Sequence, residues 1–504
     1  MKKLYYSILV LGFALSSCND WLDVKPQLQK EKEEMFEKEK GFKDALIACY
    51  IKMNSANLYG KRLTMTDVEY LAQHWTTNST NGDYLNEMKL KEFDYETTHA
   101  QSFINAAYAG LYNIIVQANV VLENVKENAA VFSSDSLRAV LEAEALAIRA
   151  FCHLDILRLF GQLPQQATQK VSLPYNEKVS HEAVPYYDFE AYVQHIVNDL
   201  NEAERLLAAY DPILKFTFEE LDLQTNPKLE LEDSFFAYRR FRFNYYAVKA
   251  IQARLYTYLG QQQAAYSAAM TVINAVDRTG NKALTLAGAA DFNAKSYALP
   301  SECILALSNF EIGKITGSSS NSEIDRLFHS TYGLYMTESQ LRNDLFAGQS
   351  MAINNRAINL WNTTSADSQG NIKPILRKYE QPTNNPSANT LATQKQVVPL
   401  IRLSEMYLIA IESSTDLTEI NALYKTYMDA RNVIATPFVA TNDVLSEVIR
   451  EYRREFFAEG QMFFTYKRLN VTNMLWKTDR TVTEKDYIVP LPKSEITSSN
   501  QNDY

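Results

Sequence analysis

The residues best suited to chemical modification lie near the amino terminus, in the run Leu15-Ser16-Ser17-Cys18. They follow the charged start Met1-Lys2-Lys3 and an apolar run from Leu4 to Leu15, which together form a secretory signal too short to span a bilayer. A pair of small residues before a cysteine at the end of such a run is the bacterial lipobox, in which the cysteine thiol is acylated and the preceding peptide is removed. The sequence therefore predicts a signal peptide over residues 1–17 and a lipoprotein, anchored by chains such as palmitate, that begins at Cys18.

The alternative interpretation is an ordinary signal peptide that is followed by an incidental cysteine. The spacing, the flanking residues and the position of Cys18 all agree with the lipobox, which we therefore favour. One acyl chain holds a protein weakly, whereas two or more hold it stably. A multiply acylated cysteine would be a lasting tether without a transmembrane helix.

The densest cluster of ionisable residues lies between Arg450 and Glu459 and holds three arginines and three glutamates. On a helix, Glu451 with Arg454 and Glu455 with Glu459 lie on neighbouring turns. This spacing predicts a structural ion-pair network rather than an acid-base site.

His153 and Asp155 are the other residues that resemble a catalytic pair. They lie in a helical segment that also buries Cys152, and no nucleophile stands at motif spacing, so we predict a structural histidine. The sequence shows no phosphate-binding glycine loop, no EF-hand loop, no His-x-x-x-His pair and no signature of a glycosidase carboxylate pair. We therefore predict a binding protein that has no catalytic residues, metal or cofactor.

Composition narrows the class of partner. The 504 residues carry a formal net charge of -10, and loss of Lys2 and Lys3 with the signal peptide makes it -12, which argues against nucleic acid as a partner.

The three cysteines beyond the acylated one are Cys49, Cys152 and Cys303. They are widely spaced among apolar neighbours, which predicts buried free thiols. A content of 46% hydrophobic residues with only 15 Gly and 14 Pro favours a mainly helical fold with a sizeable core.

The elements that must position any site are mostly helices. Apolar residues recur at steps of three or four from Leu137 to Leu159, and Gly161 followed by Pro164 ends this helix. Residues 243–276 alternate small and large side chains in the manner of a tetratricopeptide hairpin. Helices are also predicted over Leu400–Ser413, Leu417–Val433 and Val444 to about Arg468, the last with a bend at Gly460.

Residues 281–395 differ from the rest because they contain Ser and Asn clusters, scattered aromatic residues and one predicted strand at Ile304–Leu307. Long irregular segments inside a compact domain are usually functional. We therefore expect this insert to carry the binding site.

Four stretches, in order and after a lipobox, resemble the SusD/RagB family of outer-membrane nutrient-binding lipoproteins. They are Ala143–Pro164, Pro399–Ala410 with Arg402-Leu403-Ser404-Glu405, Arg450–Gly460 with Arg453-Arg454-Glu455-Phe456-Phe457, and Pro490–Tyr504. The resemblance runs from Cys18 to Tyr504. It departs from the family at Ala410-Ile411-Glu412, where Ala-Glu-Ala is usual, and at Gln461-Met462-Phe463, where His-Arg-Trp is frequent.

The resemblance implies a mainly α fold in one domain over residues 18–504. Four tetratricopeptide-like helix pairs would form the scaffold, at about 36–125, 136–208, 243–276 and 400–433, and the loop-rich insert at about 281–395 would form the ligand-binding face. It also implies a lipid-anchored protein on the outer face of the outer membrane. There it would serve nutrient uptake as the lid of a TonB-dependent barrel transporter of the SusC/RagA type.

The expected ligand is an oligopeptide or an oligosaccharide, because the family accepts both. Sugars stack on flat aromatic rings and peptides lie along grooves. The candidate contacts are exposed aromatic residues of the irregular segments with two polar companions: Tyr70, Trp75, Asn78, Tyr84, Tyr332, Tyr335, Arg342 and Trp361. Only Trp75 and Trp361 are tryptophans at expected positions, which modestly favours a peptide or a mixed ligand.

Two other classes of function remain open from the sequence. A tetratricopeptide adaptor lipoprotein would bind another protein through its helical face. A hydrolase is less favoured, because no carboxylate pair stands out among the many Asp and Glu residues.

Overall fold

The computed structural model describes residues 34–78, 82–180, 182–317, 326–380 and 396–499. The predicted signal peptide and Cys18 lie outside these residues. Within the described ranges, no helix has both the length and the apolar character that a membrane crossing requires.

The mainly helical fold class is confirmed. The scaffold helices are α1 (Glu39–Met53), α2 (Thr98–Glu127), α3 (Asp135–Phe160), α4 (Phe189–Tyr210), α5 (Tyr245–Tyr258), α6 (Gln262–Ile273), α7 (Leu403–Ser413), α8 (Leu417–Ala430), α9 (Val444–Glu455) and α10 (Met462–Arg468). Short helices and single turns lie at Asp67–Leu71, Gly82–Glu87, Met88–Glu92, Ala129–Val131, Pro212–Leu214, Ser234–Phe236, Arg239–Phe241, Ala289–Asn293, Pro300–Glu302, Ile312–Ile315, Gln340–Leu345, Asn355–Asn359, Thr441–Asp443, Glu484–Tyr487 and Lys493–Ser499.

The scaffold helices pack in chain order. Helix α1 packs on α2, α3 on α4, α5 on α6 and α7 on α8, and successive pairs are joined through α2 with α3, α4 with α5 and α6 with α7. Helix α3 is central, because nearly all of its side chains from Leu137 onward are buried. Its start is fixed by the Ser134 hydroxyl, which accepts a hydrogen bond from the backbone N–H of Leu137 at 3.2 Å.

The end of α3 is held by a buried lysine from a distant part of the chain. Lys467 Nζ donates hydrogen bonds to the carbonyl oxygens of Arg158 at 2.8 Å, Leu159 at 3.2 Å and Gly161 at 2.6 Å. These acceptors belong to the last turn, whose carbonyl groups have no partner within the helix. Helix α10 is thereby tied to the carboxyl end of α3.

All strands are short: β1 (Thr76–Thr77), β2 (Leu173–Pro174), β3 (Tyr186–Tyr187), β4 (Cys303–Ser308), β5 (Leu334–Tyr335), β6 (Trp361–Asn362), β7 (Ile375–Leu376) and β8 (Val397–Arg402). The predicted strand at Ile304–Leu307 is confirmed as β4. The prediction of a helix from Leu400 was wrong, because Val397–Arg402 pairs with β4 and the helix begins at Leu403. A β-branched run beside an available partner strand outweighs the helical periodicity.

The helix predicted from Val444 to Arg468 is interrupted. Helix α9 ends at Glu455, and the turn up to α10 places Gly460 at φ +70°. The buried Glu69 carboxylate accepts hydrogen bonds from the backbone N–H groups of Ala458 at 3.0 Å and Gly460 at 2.8 Å. The predicted bend at Gly460 is confirmed, and its cause is a carboxylate almost 400 residues earlier in the chain.

Candidate ligand-binding site

Short strands bring the distant loop segments together. Strand β1 pairs with β5 in the register Thr76 to Tyr335 and Thr77 to Leu334, and β6 pairs with β7. The two pairs are linked where the Met336 N–H donates to the Pro374 carbonyl at 2.9 Å. The order β1, β5, β7, β6 therefore joins the segment after residue 75 to the irregular insert.

We define the loop-rich face as residues 76–78, 329–335 and 366–373, which meet at this strand array. Thr77, the residue before Asn78, donates from Oγ1 to the carbonyl of Gly333, the residue after Tyr332, at 3.1 Å. Ser330 Oγ donates to the Ala366 carbonyl at 2.7 Å and ties the second segment to the third. The structure thus gathers several of the predicted residues at one place.

Both tryptophans of the prediction lie beneath this face instead of on it. Trp75 and Trp361 are each only 2% exposed. Their rings pack with Phe328 and Phe457, at centroid distances of 5.0 Å from Trp75 to Phe328 and 5.1 Å from Trp361 to Phe457. The expectation that these rings are exposed was wrong, because they fill the junction between scaffold and insert, where large rings bury the most apolar area.

Two predicted tyrosines are also buried. The Tyr70 hydroxyl donates to Glu87 at 2.8 Å, and the Tyr335 ring lies 4.7 Å from Lys373 Nζ, measured to the ring centroid. Their expected exposure was likewise wrong. Each hydroxyl-bearing ring combines apolar packing with a polar neighbour, so burial costs it little.

Four predicted residues retain accessible surface. Tyr332 is 40% exposed, Arg342 is exposed with its Nε donating to Glu338 at 2.8 Å, and Asn78 and Tyr84 are half-buried. Their contact with ligand stays a prediction.

His329, which the sequence did not single out, forms an aromatic pair with Tyr332. The two rings stack at 5.4 Å between centroids and 20° between planes. His329 Nδ1 accepts the backbone N–H groups of Thr331 at 3.1 Å and Tyr332 at 3.2 Å, which fixes the ring and leaves the proton to Nε2. In the sequence, the only indication of this aromatic pair was the spacing of three residues between His329 and Tyr332 within a turn.

A rigid turn borders this pair. Asp367 accepts the backbone N–H groups of Gln369 at 3.0 Å and Asn371 at 2.9 Å, and it pairs with Lys373 at 2.8 Å. Hydrogen bonds from Lys373 and Asn371 hold the pKa of Asp367 below its ordinary value. The face is therefore an ordered surface of amide, ammonium and aromatic groups.

The loop-rich face is open. A cleft beside it, lined by Arg326, Phe328, Asn362, Arg377 and Tyr379 among others, has a volume of about 70 Å³. Enclosed ligand pockets usually measure about 300–1,000 Å³, so this cleft takes a single substituent at most. An extended oligomer that crosses the surface fits this shape better than a small molecule inside it.

The Arg450–Glu459 cluster is confirmed as a structural ion-pair network. Glu455 lies within 3.2 Å of Arg356, 2.6 Å of Arg402 and 2.9 Å of Arg431, and all four side chains are buried. Burial alone would raise the pKa of Glu455, but the charges of Arg431, Arg402 and Arg356 hold it well below its ordinary value. The carboxylate is buried, and the network joins the insert to α7, α8 and α9.

His153 is confirmed as a structural histidine. It is buried, its Nδ1 lies 2.7 Å from the Tyr192 hydroxyl, and its ring stacks on Tyr175 at 3.8 Å. Burial, followed by the charge of Arg149, lowers its pKa well below the ordinary value. Cys49, Cys152 and Cys303 are buried free thiols, as predicted.

Acidification should destabilise the protein through His153. The unfolded chain takes up a proton near pH 6.5 while the folded imidazole stays neutral, so the free energy of unfolding falls by about 1.4 kcal/mol per pH unit below pH 6.5 from this group alone. Urea unfolding between pH 7.5 and 5.5 measures the slope. His153→Gln should make it shallower, and an unchanged slope in that variant would contradict the assignment.

No group of His, Cys, Asp and Glu residues in the described segments is arranged to hold a metal ion.

Comparison with known proteins adds a family context. A family model for SusD-like proteins, described as starch-binding associating with outer membrane, matches residues 20–218, and the model of the SusD family, SusD_RagB, matches residues 328–502. A SusD-like protein of Formosa agariphila is 23% identical over 209 residues, a match that spans 40% of this chain and 37% of that relative.

Solved structures share the fold. A SusD superfamily protein from Bacteroides thetaiotaomicron superposes with a TM-score of 0.67 at 18% identity, over 92% of this chain and 99% of that chain. The surface glycan-binding protein A from the same species, solved with laminarihexaose, gives a TM-score of 0.64 at 14% identity, over 92% and 98% of the two chains. At these identities the likeness concerns the fold alone.

Proposed function

The chain belongs to the SusD/RagB family, and on that premise we propose that it is a surface-exposed, lipid-anchored protein that captures nutrient glycans for a barrel transporter. Membership of this family places the chain among binding proteins rather than enzymes. The stacked His329–Tyr332 pair on an open, ordered face is the observation that carries the proposed binding role.

The geometry suits a glycan chain. The apolar C–H face of a sugar ring packs on flat aromatic rings, and Tyr332 offers such a ring at 40% exposure. Asn78 and Asn371, in two segments of the loop-rich face, supply amide groups for sugar hydroxyls, and Arg342 stays a further predicted contact. The open shape lets an oligomer extend in both directions across the face.

We propose a glycan as the ligand, although the small number of tryptophans in the sequence had modestly favoured a peptide or a mixed ligand. One structural neighbour is named as laminarin-binding and another was solved with laminarihexaose. Burial of Trp75 and Trp361 also means that the tryptophan count carries little information about the ligand.

Tyr332→Ala should weaken glycan binding by about tenfold or more, because one stacking contact contributes about 1.5 kcal/mol. Calorimetric titration with laminarihexaose and other neutral and acidic oligosaccharides measures the change. Tyr210→Ala is the matched control, because Tyr210 is similarly exposed at the end of α4, outside the loop-rich face. Tight binding of oligopeptides with none of oligosaccharides would overturn the choice of ligand.

The anchor and the transporter need a separate test. Cells fed with labelled fatty acid should label the wild-type protein and leave Cys18→Ser unlabelled and released from the outer membrane. The wild-type protein should co-purify with a TonB-dependent barrel of the SusC/RagA type from detergent extracts. An unlabelled wild-type chain, its recovery only as a lone monomer, or complete shielding from protease added to intact cells would each count against the proposal.

A further inference from the structure

A second, larger cavity opens on the helical scaffold where the turns between its helices lie side by side. The segment after α3, the α5–α6 turn, the α7–α8 turn, the start of α9 and the end of α10 form it, with a volume of about 830 Å³. We call it the turn groove. It shares no lining residue with the loop-rich face, and its volume falls within the range of about 300–1,000 Å³ that is usual for ligand sites.

Amide and hydroxyl side chains dominate the lining of the turn groove. Gln166, Gln262, Ser414, Asn442 and Asn470 are among them, and each both donates and accepts hydrogen bonds. The only charged residues in the described lining form one pair whose charges cancel. An anionic or cationic ligand finds no uncompensated charge here, whereas a ligand with many hydroxyl groups finds many partners.

That charged pair forms a flat polar wall. Arg468 donates from Nη1 and Nη2 to the two oxygens of Glu412, each at 2.6 Å, and both side chains are largely buried. A bidentate pair of this kind is fixed in orientation before any ligand arrives. Donors and acceptors thus stand side by side in one plane, which matches adjacent hydroxyls of a sugar ring.

Left-handed backbone conformations occur at the rim. Gly260, at φ +72°, and Asn470, at φ +47°, follow α5 and α10 and end these helices in the usual way. Gln166, at φ +54°, is a non-glycine residue outside a helix end, and this conformation costs such a residue about 1–3 kcal/mol. Helices α6 and α9 also begin at the groove, and no side chain caps either of them.

Unpaired polar atoms lie directly behind the groove wall. Thr257 and Arg468 also line an inner cavity of about 20 Å³. Arg254 and Tyr258, only 4% and 2% exposed, line it as well, and neither Arg254 Nη1 nor the Tyr258 hydroxyl has a hydrogen-bond partner among the described residues. A space of this size is large enough for one water molecule next to the groove wall.

We propose that the turn groove is a second carbohydrate site, one that takes an uncharged oligosaccharide. A peptide is less suited, because its side chains need apolar pockets and Leu445 is the main exposed apolar group among the lining residues that the structure describes. The inference goes beyond the proposed function, since the groove and the loop-rich face are separate surfaces.

The test uses the full mature protein in detergent, titrated calorimetrically with laminarihexaose, maltohexaose and cellohexaose. Thr415→Trp and Asn442→Trp place a bulky side chain in the groove from exposed positions, so the fold should tolerate them. Thr426→Trp, at an exposed position of α8 outside the groove, is the control. In the Tyr332→Ala background, the residual binding of at least one of these hexasaccharides should weaken about tenfold or more in both groove variants and stay unchanged in the control.

Three outcomes would overturn the inference. In the first, the Tyr332→Ala protein binds none of the three hexasaccharides. In the second, it binds them, but neither Thr415→Trp nor Asn442→Trp changes the affinity. In either case the loop-rich face and its proposed role are untouched. In the third outcome the groove variants lose the barrel transporter during purification while glycan binding is intact, which would make the groove a protein interface instead.

Discussion

Replacing Glu455 by glutamine should lower the free energy of unfolding by about 3–5 kcal/mol, the usual cost of breaking a buried ion pair by removing one partner. Glutamine is nearly isosteric with glutamate, so the substitution mainly removes the negative charge. Arg356, Arg402 and Arg431 would each lose one charged partner inside the protein, although Glu451, Glu459 and Glu302 would still contact them. Chemical denaturation monitored by circular dichroism gives the value.

Glu202→Gln is the matched control. Glu202 pairs with Arg205 on the exposed surface of α4 at 2.7 Å, and an exposed pair contributes only about 0–1 kcal/mol. If the two variants lost similar amounts of stability, Glu455 would not hold the insert to the scaffold. Because the pKa of Glu455 is depressed, its contribution should be complete above the ordinary pKa of about 4.3 and should decline as the pH falls below it.

Gly460→Ala should destabilise the protein on the order of 4 kcal/mol, near the upper end for single substitutions. A Cβ at this position would lie 2.0 Å from the Leu63 carbonyl oxygen, and the backbone already has φ +70°. Relief of the collision requires the backbone to move, which would weaken the hydrogen bonds to Glu69. Thermal and urea unfolding both measure the effect.

Gly348→Ala is the control that separates the cost of the left-handed backbone conformation from the cost of the steric collision with Leu63. Gly348 has φ +79°, but an added Cβ there meets no atom within 4 Å. This variant should lose only about 1 kcal/mol, the cost of the left-handed conformation for a side chain. Equal losses at both positions would mean that close approach to Leu63 is unimportant.

The sequence by itself determined where most of the scaffold helices lie, though not all of their ends, because apolar periodicity is a local property of the chain. The helix that ends near Gly161 is present as α3, and the charge spacing of Arg450–Glu459 correctly predicted an ion-pair network. Burial of His153 and of the three cysteines beyond Cys18 also followed from their apolar neighbours. Each of these predictions depends on residues within one or two helical turns.

Only the tertiary structure decided which aromatic rings face solvent. Trp75 and Trp361 lie in irregular segments without periodicity, and their burial depends on Phe328 and Phe457 from other parts of the chain. Strand β8 likewise depends on β4 as a partner, which the local pattern of residues 397–402 does not contain. Burial and strand pairing are set by what packs from a distance, so a single stretch of sequence cannot reveal them.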